Sequence, residues 1–352
     1  MNRFLSKVAR NVEPYTPGEQ PKDMRYIKLN TNESPYGPGS AVLSTIKNYD
    51  TDKMRLYPSP DMLELKIAIA KRNNIEANQV FAANGSDEVL AMIFMAYTNP
   101  DKPVYFADIT YGFYGVYSEL FGTKTNIVPL SDDLSINSSD YNNLSGAIFI
   151  ANPNAPTGLL LDKATIENII INNPNAIVII DEAYVDFADD ASVISLINKF
   201  DNLIVVQTFS KSRGLAGARL GFAFANKEII EGLERIKFSF NPYNINRVTE
   251  AIGIASLNDN LYFLETVQKI KTTRERIKAE MQKMGFFITN SKSNFLFAKH
   301  EKISGEDVYT KLRQNGILVR YFGKERIKDY VRITIGTDDE MNQLLTELKK
   351  VV

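Results

Sequence analysis

The segment Val206–Gly221, "VQTFSKSRGLAGARLG", places a lysine directly after an apolar strand-like run. The run, Asn202–Gln207 "NLIVVQ", leads through Thr208-Phe209-Ser210 to Lys211, and Arg219 follows among glycines. In open parallel sheets, ligands bind beyond the carboxyl ends of the strands. The segment therefore predicts a sheet strand that carries a ligand-binding amine at its end.

Similar apolar runs alternate with helix-like segments from about Ala41 to Asn241. They are short, rich in Val, Ile and Phe, and apolar on both faces, which is typical of a parallel sheet covered on each side. Helix candidates between them include Asp87–Tyr97, with Ser86 as its cap, and Leu161–Ile171. We predict an α/β fold with a mostly parallel central sheet covered by helices. The strand candidates are Val80–Ala83, Pro103–Ala107, Ala147–Ala151, Ala176–Ile180, Leu203–Gln207 and Leu220–Ala225.

The pattern changes after about Pro242. A long charged helix-like stretch, Leu261–Lys283, precedes shorter apolar runs and a helix from about Asp338, which indicates a smaller α+β domain. A chain of 352 residues is also long for one core. We expect residues 1–40 to form an irregular arm that joins the small domain, 41–241 the large domain, and 242–352 the small domain.

Composition excludes several kinds of site. The chain has no cysteine and one histidine, His300, so thiolate nucleophiles, histidine triads and Cys- or His-based metal sites are not expected. The formal net charge of -1 gives no support for a nucleic-acid or polybasic membrane surface. The N-terminus lacks a signal-peptide core and no apolar run could span a bilayer, so a cytoplasmic location is the expectation.

Polar clusters also follow other predicted strands. They are Asn152–Gly158 "NPNAPTG", Asp181–Tyr184 "DEAY" and Asn84–Asp87 "NGSD". The last precedes a helix, where free N–H groups and the helix dipole favour an anion. Together with Lys211, these clusters can supply the amine, carboxylate, phenol and phosphate cradle that a pyridoxal-phosphate enzyme needs.

Nine segments, in this order, carry a family resemblance over nearly the whole chain. They are "YTPGEQP", "LNTNESPYGP", "RLYPSP", "NGSDE", "NPNAPTG", "DEAYVDF", "TFSKSRGLAGARLG", "PYNIN" and "RITIGT". The chain resembles the fold-type I pyridoxal-phosphate-dependent aminotransferases, and among them the histidinol-phosphate aminotransferases.

This resemblance implies roles around the cofactor ring. Lys211 would be the Schiff-base lysine and would move a proton between the substrate Cα and the cofactor. Asp181 would pair with the pyridine nitrogen, Tyr184 would bind the ring oxygen, and Tyr111 would stack on the ring. Asn154 is a candidate for a second contact to the ring oxygen.

The resemblance also implies contacts to the phosphate and the substrate. Tyr57 would reach the cofactor phosphate in the neighbouring subunit, which implies a homodimer with shared active sites. Arg332 would bind an acidic group of the substrate, Arg320 and Tyr15 would help to hold the phosphate of histidinol phosphate, and Asn32 would lie near the substrate. The other implied phosphate contacts are Ser210, Arg219 and the backbone around Gly85, Ser86 and Asp87.

Two positions depart from the family pattern. The family usually has an asparagine before the proline of "NPTG", where this chain has Ala155, and the asparagine lies one place earlier at Asn154. Either Asn154 takes over the contact to the ring oxygen, or Tyr184 makes it alone. Ile109 stands where a proline is frequent before Thr110-Tyr111.

The function implied by the resemblance is transamination in histidine biosynthesis. L-Histidinol phosphate and 2-oxoglutarate would give imidazole acetol phosphate and L-glutamate. A threonine-phosphate decarboxylase or an aromatic amino acid aminotransferase would share most cofactor residues, although "YTPGEQP" and "RLYPSP" favour the first function. A non-catalytic regulator usually carries an added DNA-binding domain. The N-terminal arm is neither basic nor helix-turn-helix in pattern, so it does not resemble such a domain. A scaffold would leave Lys211, Asp181 and Arg219 unexplained.

Overall fold

A seven-stranded sheet is the centre of the computed structural model, which describes residues 3–352. Its strands run in the order β2-β8-β7-β6-β5-β3-β4, and only β8 is antiparallel to its neighbours. The predicted mostly parallel sheet is confirmed. The strands of the described residues are β1 (Ile27–Lys28), β2 (Val80–Ala83), β3 (Val104–Ala107), β4 (Thr125–Val128), β5 (Gly146–Ala151), β6 (Ala176–Asp181), β7 (Leu203–Thr208), β8 (Gly221–Phe224), β9 (Phe286–Ile288), β10 (Phe295–His300), β11 (Ile317–Leu318), β12 (Arg320–Tyr321) and β13 (Tyr330–Thr334).

Helices cover both faces of this sheet and form much of the C-terminal part. Between residues 3 and 352, none of them combines the length and apolar character needed to cross a bilayer. The α-helices of that range are α1 (Lys7–Asn11), α2 (Ser40–Lys47), α3 (Leu63–Asn73), α4 (Ser86–Tyr97), α5 (Phe113–Leu120), α6 (Lys163–Ile171), α7 (Lys227–Phe240), α8 (Arg247–Asn258), α9 (Asn260–Lys283), α10 (Gly305–Gln314) and α11 (Asp338–Val351).

The sheet separates two apolar cores. Successive residues of a strand point to opposite faces, so a strand covered on both sides needs apolar residues at every position. One core contains Ile148, Ile150 and Val178, and the other contains Phe149 and Ile179. This arrangement explains the uninterrupted apolar runs that predicted these strands.

One strand was not predicted, and one predicted helix cap needs correction. The edge strand β4 was missed because its "TNIV" sequence is mostly exposed and lacks the apolar run of the inner strands. Ser86 was predicted to cap α4, but it is the first residue of the helix, and Gly85 is the N-cap without a side-chain bond. Gly85 has φ +90°, a value that glycine adopts without strain, and this turn starts the helix one residue earlier than predicted.

A second unit follows at the C-terminus. It contains a four-stranded antiparallel sheet, in the order β12-β13-β10-β9, packed with α9 and α11 around its own apolar core. Strand β1 of the arm pairs in parallel with β11, which joins the arm to this unit.

The apolar packing divides the chain later than the boundary predicted near Pro242. Helix α8 packs on α2 and α3, and its residues Ile252 and Leu257 belong to the core of the large sheet. Residues Phe263 and Val267 of α9 instead contribute to the C-terminal core. The change of core therefore falls between α8 and α9.

Candidate active site

A cavity of about 350 Å³ opens at the carboxyl edge of the large sheet. The ends of β5, β6 and β7 meet there in register, because Ala151 lies beside Asp181 and Asp181 beside Val206. Most of the residues expected around the cofactor line this one cavity. They are Ser86, Asp87, Tyr111, Asp181, Tyr184, Ser210, Lys211 and Arg219.

Lys211 lies three residues beyond the end of β7 and reaches into the cavity. Its Nζ donates to the backbone carbonyl of Thr31 at 3.2 Å and lies 5.8 Å from the ring centroid of Tyr184. The Tyr184 hydroxyl accepts from Nδ2 of Asn32 at 2.9 Å. The buried Asn32, at φ +57°, is held in turn by Thr334, whose Oγ1 donates to Asn32 Oδ1 at 3.1 Å. The arm therefore contributes one wall of the site.

Asp181 ends β6 and is only 5% exposed. Burial raises the pKa of Asp181 to about 6, and two donors oppose this shift by stabilising the carboxylate. The Tyr114 hydroxyl donates to Oδ2 at 2.8 Å, and the backbone N–H of Ala183 donates to Oδ1 at 3.2 Å. Sequence reasoning missed Tyr114, although its place three residues after the predicted Tyr111 was a usable signal that it lies near the site.

Asp87, in the first turn of α4, is contacted by a guanidinium and a phenol. Arg219 Nη2 lies 3.2 Å from Oδ2 of Asp87, and the Tyr111 hydroxyl donates to Oδ1 of the same carboxylate at 2.6 Å. Burial and the neighbouring Asp87 raise the pKa of Tyr111 well above its ordinary value, so its hydroxyl stays a donor. A helix N-terminus beside a guanidinium suits a phosphate group.

Two glycines leave space beside Arg219 and the first turn of α4, which together form the expected phosphate cradle. A Cβ atom on Gly85 would overlap Nη2 of Arg219, and a Cβ atom on Gly221 would overlap the backbone nitrogen of Ser86. Only glycine lets β8 and the guanidinium approach the start of α4 so closely. The cradle, the amine, the buried carboxylate and the phenol form a donor set that fits pyridoxal phosphate.

Arg332 lies on β13, and not all of its guanidinium N–H groups are hydrogen-bonded. Its Nη2 donates to the backbone carbonyl of Asn30 at 3.0 Å, and its guanidinium carbon lies 5.4 Å and 5.5 Å from the ring centroids of Phe295 and Phe322. Its Nε is buried and has no hydrogen-bond partner among residues 3–352. Burial lowers the pKa of Arg332. An unpaired buried donor on a cation favours an incoming anion.

Arg320 and Tyr15 lie outside the cavity lining, at the arm. The Arg320 guanidinium donates from Nη1 to the carbonyl of Pro17 and from Nη2 to the carbonyl of Thr16, both at 3.0 Å. The ring of Tyr15 stacks on Phe113 with centroids 4.3 Å apart. Their roles toward a substrate phosphate stay predictions.

Asn154 and Ala155 occupy different surroundings. The buried Asn154 donates from Nδ2 to the carbonyl of Ile109 and to Oγ1 of Thr157, both at 3.0 Å, and its Oδ1 accepts from Thr110 at 2.8 Å. Ala155, not Asn154, lines the cavity. Asn154 thus connects two loops by hydrogen bonds. Its contact to the cofactor stays a prediction, and this geometry does not favour it.

Tyr57 does not line this cavity. It is 75% exposed, and its ring stacks on Tyr243 at a centroid distance of 4.6 Å. Its carbonyl accepts from Arg247 at 2.6 Å. The side chain faces outward, as a residue that serves a neighbouring subunit would, and that role stays a prediction.

Comparison with known proteins agrees with this geometry. The family model "Aminotransferase class I and II" matches residues 25–348. The chain belongs to this family of enzymes.

Full-length relatives narrow the assignment within the family. Histidinol-phosphate aminotransferase of Brachyspira hyodysenteriae is 53% identical over 352 residues, which is 100% of this chain and 99% of that protein. The enzyme of the same name from Acinetobacter baumannii is 48% identical over 99% of this chain and 97% of its own length. These relatives place the chain among the histidinol-phosphate aminotransferases.

Solved structures share the fold. Histidinol-phosphate aminotransferase from Sinorhizobium meliloti, in complex with pyridoxal-5'-phosphate, superposes with a TM-score of 0.91 at 24% identity, over 100% of this chain and 98% of that one. An aspartate aminotransferase variant from Thermus thermophilus gives 0.84 at 15% identity, over all of both chains. The predicted fold-type I architecture is confirmed.

Proposed function

We propose that this enzyme transfers the amino group between L-histidinol phosphate and 2-oxoglutarate, with pyridoxal phosphate as cofactor, in histidine biosynthesis. The products are imidazole acetol phosphate and L-glutamate. The observation that carries the proposal is the shared cavity of Lys211, Asp181 and Arg219 in a chain whose full-length relatives bear this enzyme's name.

Lys211 would do the acid–base work. When bound, pyridoxal phosphate supplies an aldehyde for amine attachment and a protonated ring that withdraws electrons from the reacting carbon. The Nζ of Lys211 would hold the cofactor and, once released, take the Cα proton of the amino donor. Nζ of Lys211 donates to the carbonyl of Thr31, a residue that also lines this cavity.

The surrounding residues would orient the cofactor. Asp181 would keep the ring nitrogen protonated, because a buried carboxylate beside it stabilises the positive charge. The Tyr184 hydroxyl, already positioned by Asn32, would bind the ring oxygen. Ser210, Arg219 and the first turn of α4 would hold the phosphate.

Arg332 would bind the acidic group of each substrate in turn. One half-reaction brings a phosphate and the other a carboxylate, and the planar fork of a guanidinium pairs with both. The Nε of Arg332, which has no hydrogen-bond partner within residues 3–352, supports this role. A homodimer with Tyr57 shared between sites and a cytoplasmic location are further parts of the proposal.

An absorbance spectrum and a rate assay of purified protein test this function. We expect bound pyridoxal phosphate to absorb at the edge of the visible range and the enzyme to form glutamate from histidinol phosphate and 2-oxoglutarate. Lys211→Ala should lose this absorbance band, and its rate should fall by about 10³-fold or more. Lys199→Ala, which removes a surface lysine paired with Glu167, should change neither.

Two results would contradict the proposal. Carbon dioxide release from threonine phosphate without an oxo acid would identify a decarboxylase. Efficient transamination of aromatic amino acids with no turnover of histidinol phosphate would identify an aromatic aminotransferase.

A further inference from the structure

Tyrosines occur at every third position along the segment that enters α5. The hydroxyls of Tyr111 and Tyr117 donate to Asp87, at its Oδ1 over 2.6 Å and at its carbonyl over 2.9 Å. The hydroxyl of Tyr114, between them, donates to Oδ2 of Asp181 over 2.8 Å. Tyr114 and Tyr117 lie three residues apart on α5 and share a face, and Tyr111 lies just before the helix. This segment therefore contacts both Asp87 and Asp181.

Tyr114 is fixed more firmly than its neighbours. It is fully buried, and its ring contacts Tyr111, Phe106 and Phe149 at centroid distances of 5.7, 5.9 and 5.4 Å. Within residues 3–352, its hydroxyl has Asp181 as its hydrogen-bond partner. Burial raises the pKa of Tyr114 well above its ordinary value, so the phenol stays protonated and can only donate to the carboxylate.

We propose that Tyr114 is a positioning residue for the transamination, and that its hydroxyl holds the Asp181 carboxylate in its orientation and in its charged form. The proposal rests on the proposed function, in which Asp181 pairs with the cofactor ring nitrogen. A buried carboxylate without donors takes up a proton rather than remain charged. A neutral Asp181 could not stabilise a protonated ring.

The pKa of Asp181 depends on several neighbouring groups, and the Tyr114 hydroxyl is one of them. Burial is the largest influence and raises the pKa of Asp181 to about 6, and the negative charge of Asp87 acts in the same direction. The Tyr114 hydroxyl, the Ala183 N–H and the positive charge of Lys211 lower it. Of these three, the Tyr114 hydroxyl is the largest influence. Without it, the pKa of Asp181 should rise further.

The test is the pH dependence of cofactor binding by Tyr114→Phe. The dissociation constant of pyridoxal phosphate for the apoprotein is measured by fluorescence titration from pH 5 to 8.5. We expect affinity to fall as Asp181 becomes protonated, and the midpoint of this fall to lie about one pH unit higher in Tyr114→Phe than in the unmodified protein. Above both midpoints, the two affinities should agree within about threefold.

Tyr97→Phe is the matched control. It also removes one phenolic hydroxyl, which donates to the Ile229 carbonyl at 2.6 Å away from the cavity. Its midpoint should equal that of the unmodified protein. Asp181→Asn, which has no carboxylate to titrate, should lose this pH dependence.

An unchanged midpoint in Tyr114→Phe would overturn the inference, even if its melting temperature falls, because a purely structural tyrosine lowers stability without moving a titration. That result would leave the proposed function intact. An apoprotein that binds no pyridoxal phosphate at any pH would instead overturn both.

Discussion

The guanidinium of Arg219 and the carboxylate of Asp87 form an ion pair at 3.2 Å. The pair joins the loop after β7 to the first turn of α4, and Gly85 lies directly against it. The arginine therefore faces the helix N-terminus as part of the proposed phosphate cradle. Its position depends on a residue without a side chain.

Gly85→Ala should weaken cofactor binding. The new Cβ would overlap Arg219 Nη2, and alanine is strained at the φ of +90° found there. Displacing one charge-assisted bond costs about 1.5–3 kcal/mol, so the dissociation constant of pyridoxal phosphate should rise about 10- to 100-fold. Gly37→Ala, where a Cβ meets nothing within 4 Å, is the control and should bind normally. Equal affinity of the two variants would mean that Arg219 does not help to bind the cofactor phosphate.

Arg332→Lys should weaken binding of both substrates. Lysine keeps the positive charge but loses the planar fork, and the Phe295 and Phe322 rings hold a guanidinium better than an ammonium. We expect KM for histidinol phosphate and for 2-oxoglutarate to rise about tenfold or more, with an unchanged cofactor spectrum. Arg276→Lys, at a surface arginine that pairs with Asp338, should alter neither KM. A change for only one substrate would mean that the two acidic groups use different residues.

Glu182 should make stability depend on pH. It is buried and accepts from Ser192 Oγ at 2.6 Å, the Val193 N–H at 2.6 Å and Gln207 Nε2 at 2.8 Å. Burial raises its pKa from 4.5 to about 7, so the folded protein binds the extra proton more tightly than the unfolded chain. The free energy of unfolding should therefore fall as pH rises from about 4.5 to 7, by at most about 3 kcal/mol from this group.

Glu182→Gln provides the comparison, because the contributions of other titrating groups cancel between the two proteins. Urea unfolding at pH 5, 6, 7 and 8 should show the unmodified protein losing stability relative to Glu182→Gln as pH rises. A constant difference across this range would mean that Glu182 keeps its ordinary pKa in the folded protein.

Mixed dimers should reveal whether Tyr57 serves the neighbouring site. Lys211→Ala and Tyr57→Ala should each have low activity. If the sites are shared, a dimer with one subunit of each kind has one site with both side chains intact. Co-expression with different affinity tags, followed by two-step purification, isolates that dimer for a rate assay.

The control mixture combines Lys211→Ala with Asp181→Asn. Both side chains belong to the same cavity of one chain, so no intact site forms and activity should stay low. Failure of the Tyr57 mixture to regain activity would mean that each subunit uses only its own residues.

The sequence by itself determined the sheet and the chemistry at its edge. Buried strands such as β6 and β7 need apolar residues on both faces, and this requirement is visible in the chain without any knowledge of distant contacts. The nearness of Lys211, Asp181 and Tyr184 could be predicted because each lies at or shortly after the end of such a strand, and parallel strands bring their carboxyl ends together. The exposed edge strand β4 carries no such requirement and was missed.

Only the tertiary structure decided which polar groups meet. Tyr114 and Asp181 are 67 positions apart, and their hydrogen bond depends on how α5 packs across the sheet. The same holds for Asn154, whose local "NPNAPTG" context suggested a cofactor contact although its amide is used between two loops. Hydrogen-bond partners far apart in the chain leave no local pattern, because directional contacts form only after packing has set position and angle.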